Sequence, residues 1–314
     1  MIPDVTVIVP VFRTEAYLPA CLGSLQRQTL ASLEILCIDD CSPDRSAEIV
    51  ESKAERDSRI VLVRHEANRG LGAARNTGLE RAQGRFVMFL DSDDRFPVDA
   101  CQQLVLEADR TGADLVVGRM LMEEDHSFIP VEYIDRSLDR YHTEHESNLR
   151  RIPETATLFS SVCHKLFRRS VIEDHGLRFE EGCYWEDISF SYRFWYFSKQ
   201  IRSIWQPVLF RTIRQDEANQ SITQIRSLKS IRDRIPLIET IFRFSLEHGL
   251  YREGTILLER VGRMTDRLIG EVGPEERAEA LRLWKRYQSR FLRMAVRLKR
   301  EADKATKRNP RQRR

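Results

Sequence analysis

The chain has no apolar run longer than a strand, which excludes a helical bilayer span of about 20 residues. Its opening, "MIPDVTVIVPVF", lacks a basic n-region and a cleavage site and is expected to be a strand, not a secretory leader. Metal-ligand spacing is missing from the six cysteines, Cys21, Cys37, Cys41, Cys101, Cys163 and Cys183. Reduced, mostly packed thiols in a cytosolic protein are expected. No internal repeat is present, and low complexity is confined to residues 304–314, a basic stretch expected to be disordered.

What is present suits a globular chain: 314 residues, 41% apolar and 32% charged, enough for one large domain or a domain with an appendage. The net charge of +3 conceals an asymmetry. Residues 285–314 hold thirteen Lys or Arg against Glu301 and Asp303, a balance of +11, so the remaining 284 residues carry 38 basic and 46 acidic side chains, or −8. The basic C-terminus is a separate physical object from the acidic body.

Residues 1–118 alternate strand-like and helix-like patterns. "VTVIVPV", "EILCIDD", "RIVLVRH", "RFVMFL" and "ADLVVGRM" read as five strands. Between them, "YLPACLGSL", "SPDRSAEIVESKAERD" (with Ser42 as N-cap and Pro43 at the first helical position), "LGAARNTGLERAQG" and residues 98–110 read as helices. The alternation predicts an α/β fold with a mostly parallel sheet covered on both faces. Residues 119–226 are less regular, a loop-rich stretch followed by α-plus-β structure. Residues 227–303 are helical, with breaks at Pro236 and Gly273-Pro274. In the last helix Trp284, Tyr287, Phe291, Met294 and Leu298 share a face.

Ligands of an open parallel sheet sit at the carboxyl ends of its strands. The predicted strands end in Pro10-Val11-Phe12, Asp39-Asp40, "RHEANRG" and Asp91-Ser92-Asp93-Asp94. Three carboxylates in four residues after a buried run repel one another and need a compensating cation. A hard divalent ion held by Asp91 and Asp93, with water and a diphosphate completing its shell, would supply it. A turn capping the helix after Pro97 is the alternative.

"VTVIVPVFRTEAYLPACLGSLQRQTLASLEILCIDDCSPDRSAEIV", followed by "NRGLGAARNTGLERAQGRFVMFLDSDD", resembles the nucleotide-sugar-binding half of family 2 glycosyltransferases. "HKLFRRSVI", "GLRF" and "WEDISF" resemble the acceptor half of its non-processive bacterial members, traceable to about Ser221. The helical remainder matches no family pattern. The rival reading of "NRGLGAARNTG" as a dinucleotide fingerprint fails, because the third glycine is missing and the segment follows the third strand.

The resemblance implies the GT-A fold, with residues 1–118 binding the nucleotide sugar, 119–226 the acceptor, and a helical C-terminal extension. It implies inverting transfer of one sugar, a hexosyl or N-acetylhexosaminyl group, from a nucleotide diphosphate, typically of uracil, with Mn2+ or Mg2+ as cofactor. The expected acceptor is a hydroxyl of a glycan, lipid-linked or polymeric cell-envelope polysaccharide intermediate. By motif, Pro10, Val11, Phe12, Glu15, Asp40, Asn68, Arg75, Asp91, Ser92 and Asp93 contact the donor, and Asp91 and Asp93 the metal. Asp187 is the general base with Glu186 in support, although negative charge at a helix N-terminus explains the same pair. His164, Lys165, Arg214 and Ser221 are weaker acceptor or sugar contacts, with Arg211 the alternative to Arg214; His164 reads equally as a packed residue. The Q-x-x-R-W signature of processive synthases is absent.

The basic helix and tail suit an anionic membrane surface, which makes the expected location cytoplasmic and peripheral on the inner face of the membrane. Packing on the body is the alternative. Specific nucleic-acid binding is not expected, since the body is acidic. The helical third offers a surface for a homo-oligomer. The competing function is an inactive nucleotide-sugar-binding or assembly module, against which Asp91, Asp93 and Asp187 are all retained.

Overall fold

A computed structural model describes residues 2–124, 127–131, 138, 161–214 and 225–308. The chain divides into two compact units, Met1–Gly182 with Phe190–Gln215, and Cys183–Ser189 with Asp216–Arg314.

The first unit is built on strands β1 (Val5–Val11), β2 (Leu33–Asp39), β3 (Ile60–Arg64), β4 (Phe86–Phe89), β5 (Leu115–Glu124), β6 (Ser127–Pro130), β7 (Lys165–Arg168) and β8 (Ile201–Thr212). They form one sheet in the order β3-β2-β1-β4-β7-β5-β6, with β8 also paired to β5. All seven residues of β1 are buried, as a strand covered on both faces requires. Val5 aligns with Leu33 on one side and Phe86 on the other, both parallel. The carboxyl ends of β1 to β4 therefore share one edge.

Helices α1 (Leu18–Gln26), α2 (Ser46–Ala54), α3 (Leu71–Arg81) and α4 (Ala100–Thr111) connect these strands, and α5 (Arg169–Asp174) follows β7. On α3, a Cβ at Gly78 would stand 2.4 Å from Ile8 Cγ2, so only glycine lets the helix close on β1.

The fold is the mixed, mostly parallel sheet with flanking helices that the resemblance implies. Two local details differ from the sequence pattern. The antiparallel β7 inserts between β4 and β5, because the Lys165–Arg168 strand comes from beyond residue 160 and leaves no trace in the local alternation. Ser42 is not an N-cap: α2 begins at Ser46, the Ser42 N–H donates to Asp39 Oδ1 at 3.3 Å, and Asp44 Oδ1 accepts from the Ser46 N–H at 3.1 Å. The described cysteines are free thiols, with Cys21, Cys37, Cys101 and Cys163 buried. Burial pushes the Cys37 and Cys101 thiols up to about 12.

Helix α6 (Glu186–Phe197) begins in the second unit and ends in the first. The second unit continues with α7 (Leu228–Arg232), α8 (Arg234–Glu247), α9 (Tyr251–Glu271) and α10 (Pro274–Arg308). Three of the five residues on the aromatic face of α10 are packed away, while Tyr287 and Met294 stay partly exposed. Trp284, Phe291 and Leu298 are 3%, 9% and 0% exposed, and Trp284 Nε1 donates to Asp266 on α9 at 2.6 Å. Outward-facing apolar residues on α10 are Leu281, Leu292 and Val296. This helix reaches Arg308, into the stretch expected to be disordered, and residues 309–314 lie outside the described residues. Among the described residues no helix is long and apolar enough to cross a membrane.

Candidate functional site

At the shared edge β1 ends in buried Pro10 and Val11, and Phe12 then turns 41% exposed. Glu15 follows in the loop, its carboxylate accepting from the Arg45 N–H at 2.9 Å. Asp40 is 3% exposed and organises the loop from β3 to α3. Its Oδ1 accepts from the Arg69 N–H at 2.9 Å and lies 2.7 Å from His65 Nδ1, and its Oδ2 accepts from the Gly70 N–H at 2.7 Å. Asn68 Nδ2 donates to the Asp40 carbonyl at 3.2 Å. A carboxylate offers about four lone-pair sites, so Asp40 keeps capacity for one further donor. Gly70, at φ +89° and ψ 166°, occupies a region essentially closed to side chains.

The acidic cluster lies where β4 ends. Arg75 on α3 is buried and donates to Asp91 Oδ1 at 2.7 Å. Arg214 Nε lies 2.6 Å from Asp93 Oδ2, both side chains 11% exposed, and its guanidinium sits 5.1 Å from the Tyr17 ring centre. Asp94 is 4% exposed and accepts from the Thr212 N–H at 2.9 Å. None of the three caps α4, whose N-cap position is Asp99. Ser92 is buried among them.

Arg75 and Arg214 each bond one of the three carboxylates and Arg211 acts on Asp94, yet burial and mutual repulsion still raise two of the three. Burial raises the Asp93 carboxyl, Arg214 opposes, and Asp91 raises it further. Burial together with Asp93 and Asp91 pushes Asp94 well above the usual carboxylate range, although Arg211 opposes. Carboxylate side chains two residues apart, close to a third, are a donor set that fits a hard divalent ion carrying water and phosphate ligands. Such a site needs no cage of protein ligands, and among the described residues no group of three His, Cys, Asp or Glu side chains is gathered as one.

His164 and Lys165, at the start of β7, are 0% and 1% exposed. Lys165 Nζ donates to the Ser161 carbonyl at 2.6 Å. Neither ring nitrogen of His164 has a hydrogen-bond partner, and burial followed by Lys165 lowers its pKa well below the ordinary value. Ser221 lies outside the described residues. In the second unit Glu186 and Asp187 form the first turn of α6, Glu186 at 3% exposure and Asp187 half-buried. Their charge suits the helix N-terminus.

Not named from the sequence were His65, whose Nε2 lies 2.9 Å from Thr77 Oγ1, and Tyr17. Neither left a local signal, whereas Asp94 was visible as the last acid of "DSDD" and Arg211 as the alternative to Arg214.

The family model described as "Glycosyl transferase family 2" matches residues 6–176. EpsH of Bacillus subtilis (strain 168), a protein assigned to the glycosyltransferases, is 35% identical over 261 residues, covering 80% of this chain and 72% of its own. The GalNAc(5)-diNAcBac-PP-undecaprenol beta-1,3-glucosyltransferase of Campylobacter jejuni is 28% identical over 220 residues, 68% of this chain and 66% of its own. Crystal structures of Staphylococcus aureus TarS 1–349 with UDP and with UDP-GlcNAc align with TM-scores of 0.65 and 0.63. They are 22% and 19% identical, and cover 88% and 96% of this chain and 77% and 92% of theirs. At that identity the likeness is one of fold.

Proposed function

The chain belongs to glycosyl transferase family 2, and from that premise we propose that it transfers a single sugar, with inversion, from a UDP-linked donor to an acceptor hydroxyl. The donor is bound by residues 1–118 and the acceptor by residues 119–226. The observation that carries this reading is the buried carboxylate cluster at the carboxyl edge of β1–β4, whose members burial and mutual repulsion raise, beside a strand end that exposes Phe12 and a loop fixed by Asp40. In this reading Phe12 lines the nucleoside slot. The remaining acceptor site of Asp40 takes the uracil N–H, with Asn68 and Glu15 framing the same loops. Arg75 and Arg214 bring positive charge toward the diphosphate, where guanidinium geometry matches phosphate oxygens. Asp91 and Asp93 would hold Mn2+ or Mg2+, which offsets charge building on the departing diphosphate.

Asp187 accepts the proton of the acceptor hydroxyl as that oxygen bonds to the anomeric carbon and the carbon–diphosphate bond breaks. Glu186 supports it. Such a base contributes about 10²–10⁴-fold in rate. The experiment is Asp187→Asn: donor binding is retained and transfer falls by that factor, whereas unchanged turnover removes Asp187 from the role.

The sugar is a hexosyl or N-acetylhexosaminyl unit, and the acceptor is a glycan, lipid-linked or polymeric intermediate of a cell-envelope polysaccharide. TarS, of the same fold, binds UDP-GlcNAc, and the Campylobacter relative is named for an undecaprenol-linked acceptor. Because Trp284, Phe291 and Leu298 of α10 are packed within their own unit, contact with an anionic membrane rests mainly on charge, supplied by the arginines and lysines of residues 285–314. That contact would place the enzyme on the cytoplasmic face of the membrane.

A further inference from the structure

Tyr184 and Trp185 immediately precede α6 and its acid pair. Trp185 is held at φ +71°, a left-handed backbone that a bulky residue rarely adopts. The bend starts the helix, since the Trp185 carbonyl accepts the Ile188 N–H at 3.2 Å. Strain of this kind persists only where the surroundings over-determine it, and it marks places where position matters.

The surroundings that hold the bend come from the junction of α7 and α8, in the helical region without a family pattern. Asp233 Oδ2 accepts the Tyr184 N–H at 3.0 Å. Lys229 Nζ bonds the same carboxylate and lies 4.5 Å from the Tyr184 ring centre. The Arg234 guanidinium lies 4.7 Å from the Trp185 ring centre and donates to Thr265 Oγ1 at 3.3 Å. Arg234 is 4% exposed. Burial, reinforced by Arg226 and opposed by Glu271, brings its pKa down to about 10. Ordinary core packing of an indole needs no buried cation against its face. A guanidinium kept there against its own desolvation is explained if the orientation of Trp185 is what it secures.

We propose that Lys229, Asp233 and Arg234 are positioning residues that fix the Tyr184–Trp185 bend and thereby set where Glu186 and Asp187 point. The inference rests on the reading of Asp187 as the base. It gives the C-terminal helices a part in the reaction: they orient the acid pair through the Tyr184–Trp185 bend.

The test compares Arg234→Met, Arg234→Lys and Trp185→Gly with the wild-type full chain. Methionine keeps length and apolar bulk and removes a desolvated charge, so Arg234→Met folds. Its kcat falls roughly 10²-fold, the effect of a displacement of about 1 Å at a reacting group, while donor KM stays within about twofold because the lost interaction is realised in the transition state. Arg234→Lys, which restores a cation over the indole, recovers part of kcat. Trp185→Gly relieves the backbone strain but loses the grip, and shows the same kcat-specific loss. Amide exchange over residues 184–189 accelerates in Arg234→Met, while the rest of α8 and α9 keeps its protection. Wild-type kcat in Arg234→Met, or unchanged exchange at 184–189, overturns the positioning role alone. A wild-type chain that turns over no nucleotide sugar, with exchange in Arg234→Met altered as expected, overturns the transferase reading and the catalytic meaning of the bend with it.

Discussion

Replacing Arg214 by alanine removes the guanidinium bonded to Asp93 and leaves the carboxylate where it is. Nitrogen and oxygen are 2.6 Å apart and each side chain is 11% exposed, so solvent screens the pair little. Removing one partner of a buried ion pair costs about 3–5 kcal/mol, and loss of the Tyr17 contact adds about 0.5–1 kcal/mol. Protonation of Asp93 limits the damage, because burial already raises its pKa. About 2–4 kcal/mol at neutral pH is therefore expected, in the range of a charge-assisted hydrogen bond and somewhat above. At about 2–4 °C per kcal/mol for a unit of this size, the melting temperature falls by roughly 5–15 °C.

The sign with pH follows from the raised carboxyl. Its ionised form is the penalised one, so the deficit of Arg214→Ala is full at neutral pH and shrinks as pH falls and Asp93 takes up a proton. The double variant Arg214→Ala/Asp93→Asn regains most of the loss, which a double-mutant cycle in urea denaturation measures directly. A loss below about 0.5 kcal/mol, as for an ordinary surface substitution, or a double variant no better than the single, refutes the account of the cluster.

Three further outcomes are expected. Gly70→Ala costs about 1–3 kcal/mol, because φ +89° with ψ 166° is closed to alanine, and UDP affinity falls as the loop held by Asp40 loosens; unchanged urea midpoint and affinity contradict this. Asp94→Asn keeps an acceptor for the Thr212 N–H and removes a carboxylate whose folded pKa is raised, so it increases the melting temperature at neutral pH. That gain fades below about pH 4, where the free carboxyl is protonated as well, and a lower melting temperature at neutral pH would sink the idea. Deleting residues 304–314 removes six basic side chains but spares buried Leu298. At about 1 kcal/mol per charge near an anionic surface, sedimentation with phosphatidylserine vesicles should weaken while hydrolysis of free donor persists; undiminished sedimentation rules out the tail.

The strands carrying the site were legible because both of their signals are local. A β-branched run such as Val5–Val11 can be buried on both faces only in a covered parallel sheet, and the acids that follow β2 and β4 fall on one edge once those strands run parallel. The partners of those acids were much less legible. Arg214 meets Asp93 from the far end of β8, and β8 reaches that edge through β7 and β5, pairings fixed by tertiary structure and not by period. Ser42 misled for a similar reason: its amide is drawn to Asp39, and the helix waits for Ser46. The aromatic face of α10 was visible as a stripe, but a stripe does not say what covers it, and here α9 takes part in covering it. The acid pair of α6 reads the same from sequence and backbone, as charge at a helix start, so its chemistry has to come from an assay.

The central claim is that the carboxylates after β4 share their surroundings with a divalent ion and a nucleotide diphosphate. The most direct measurement is the melting temperature of the full chain with Mn2+, with UDP and with both, in the wild type and in Asp93→Asn. Ligand at a hundredfold over its Kd stabilises by about 2.7 kcal/mol. The account predicts that Mn2+ and UDP together stabilise the wild type by more than the sum of each alone, and that Asp93→Asn loses this excess; an equal excess in Asp93→Asn, or no response of the wild type to UDP, contradicts it.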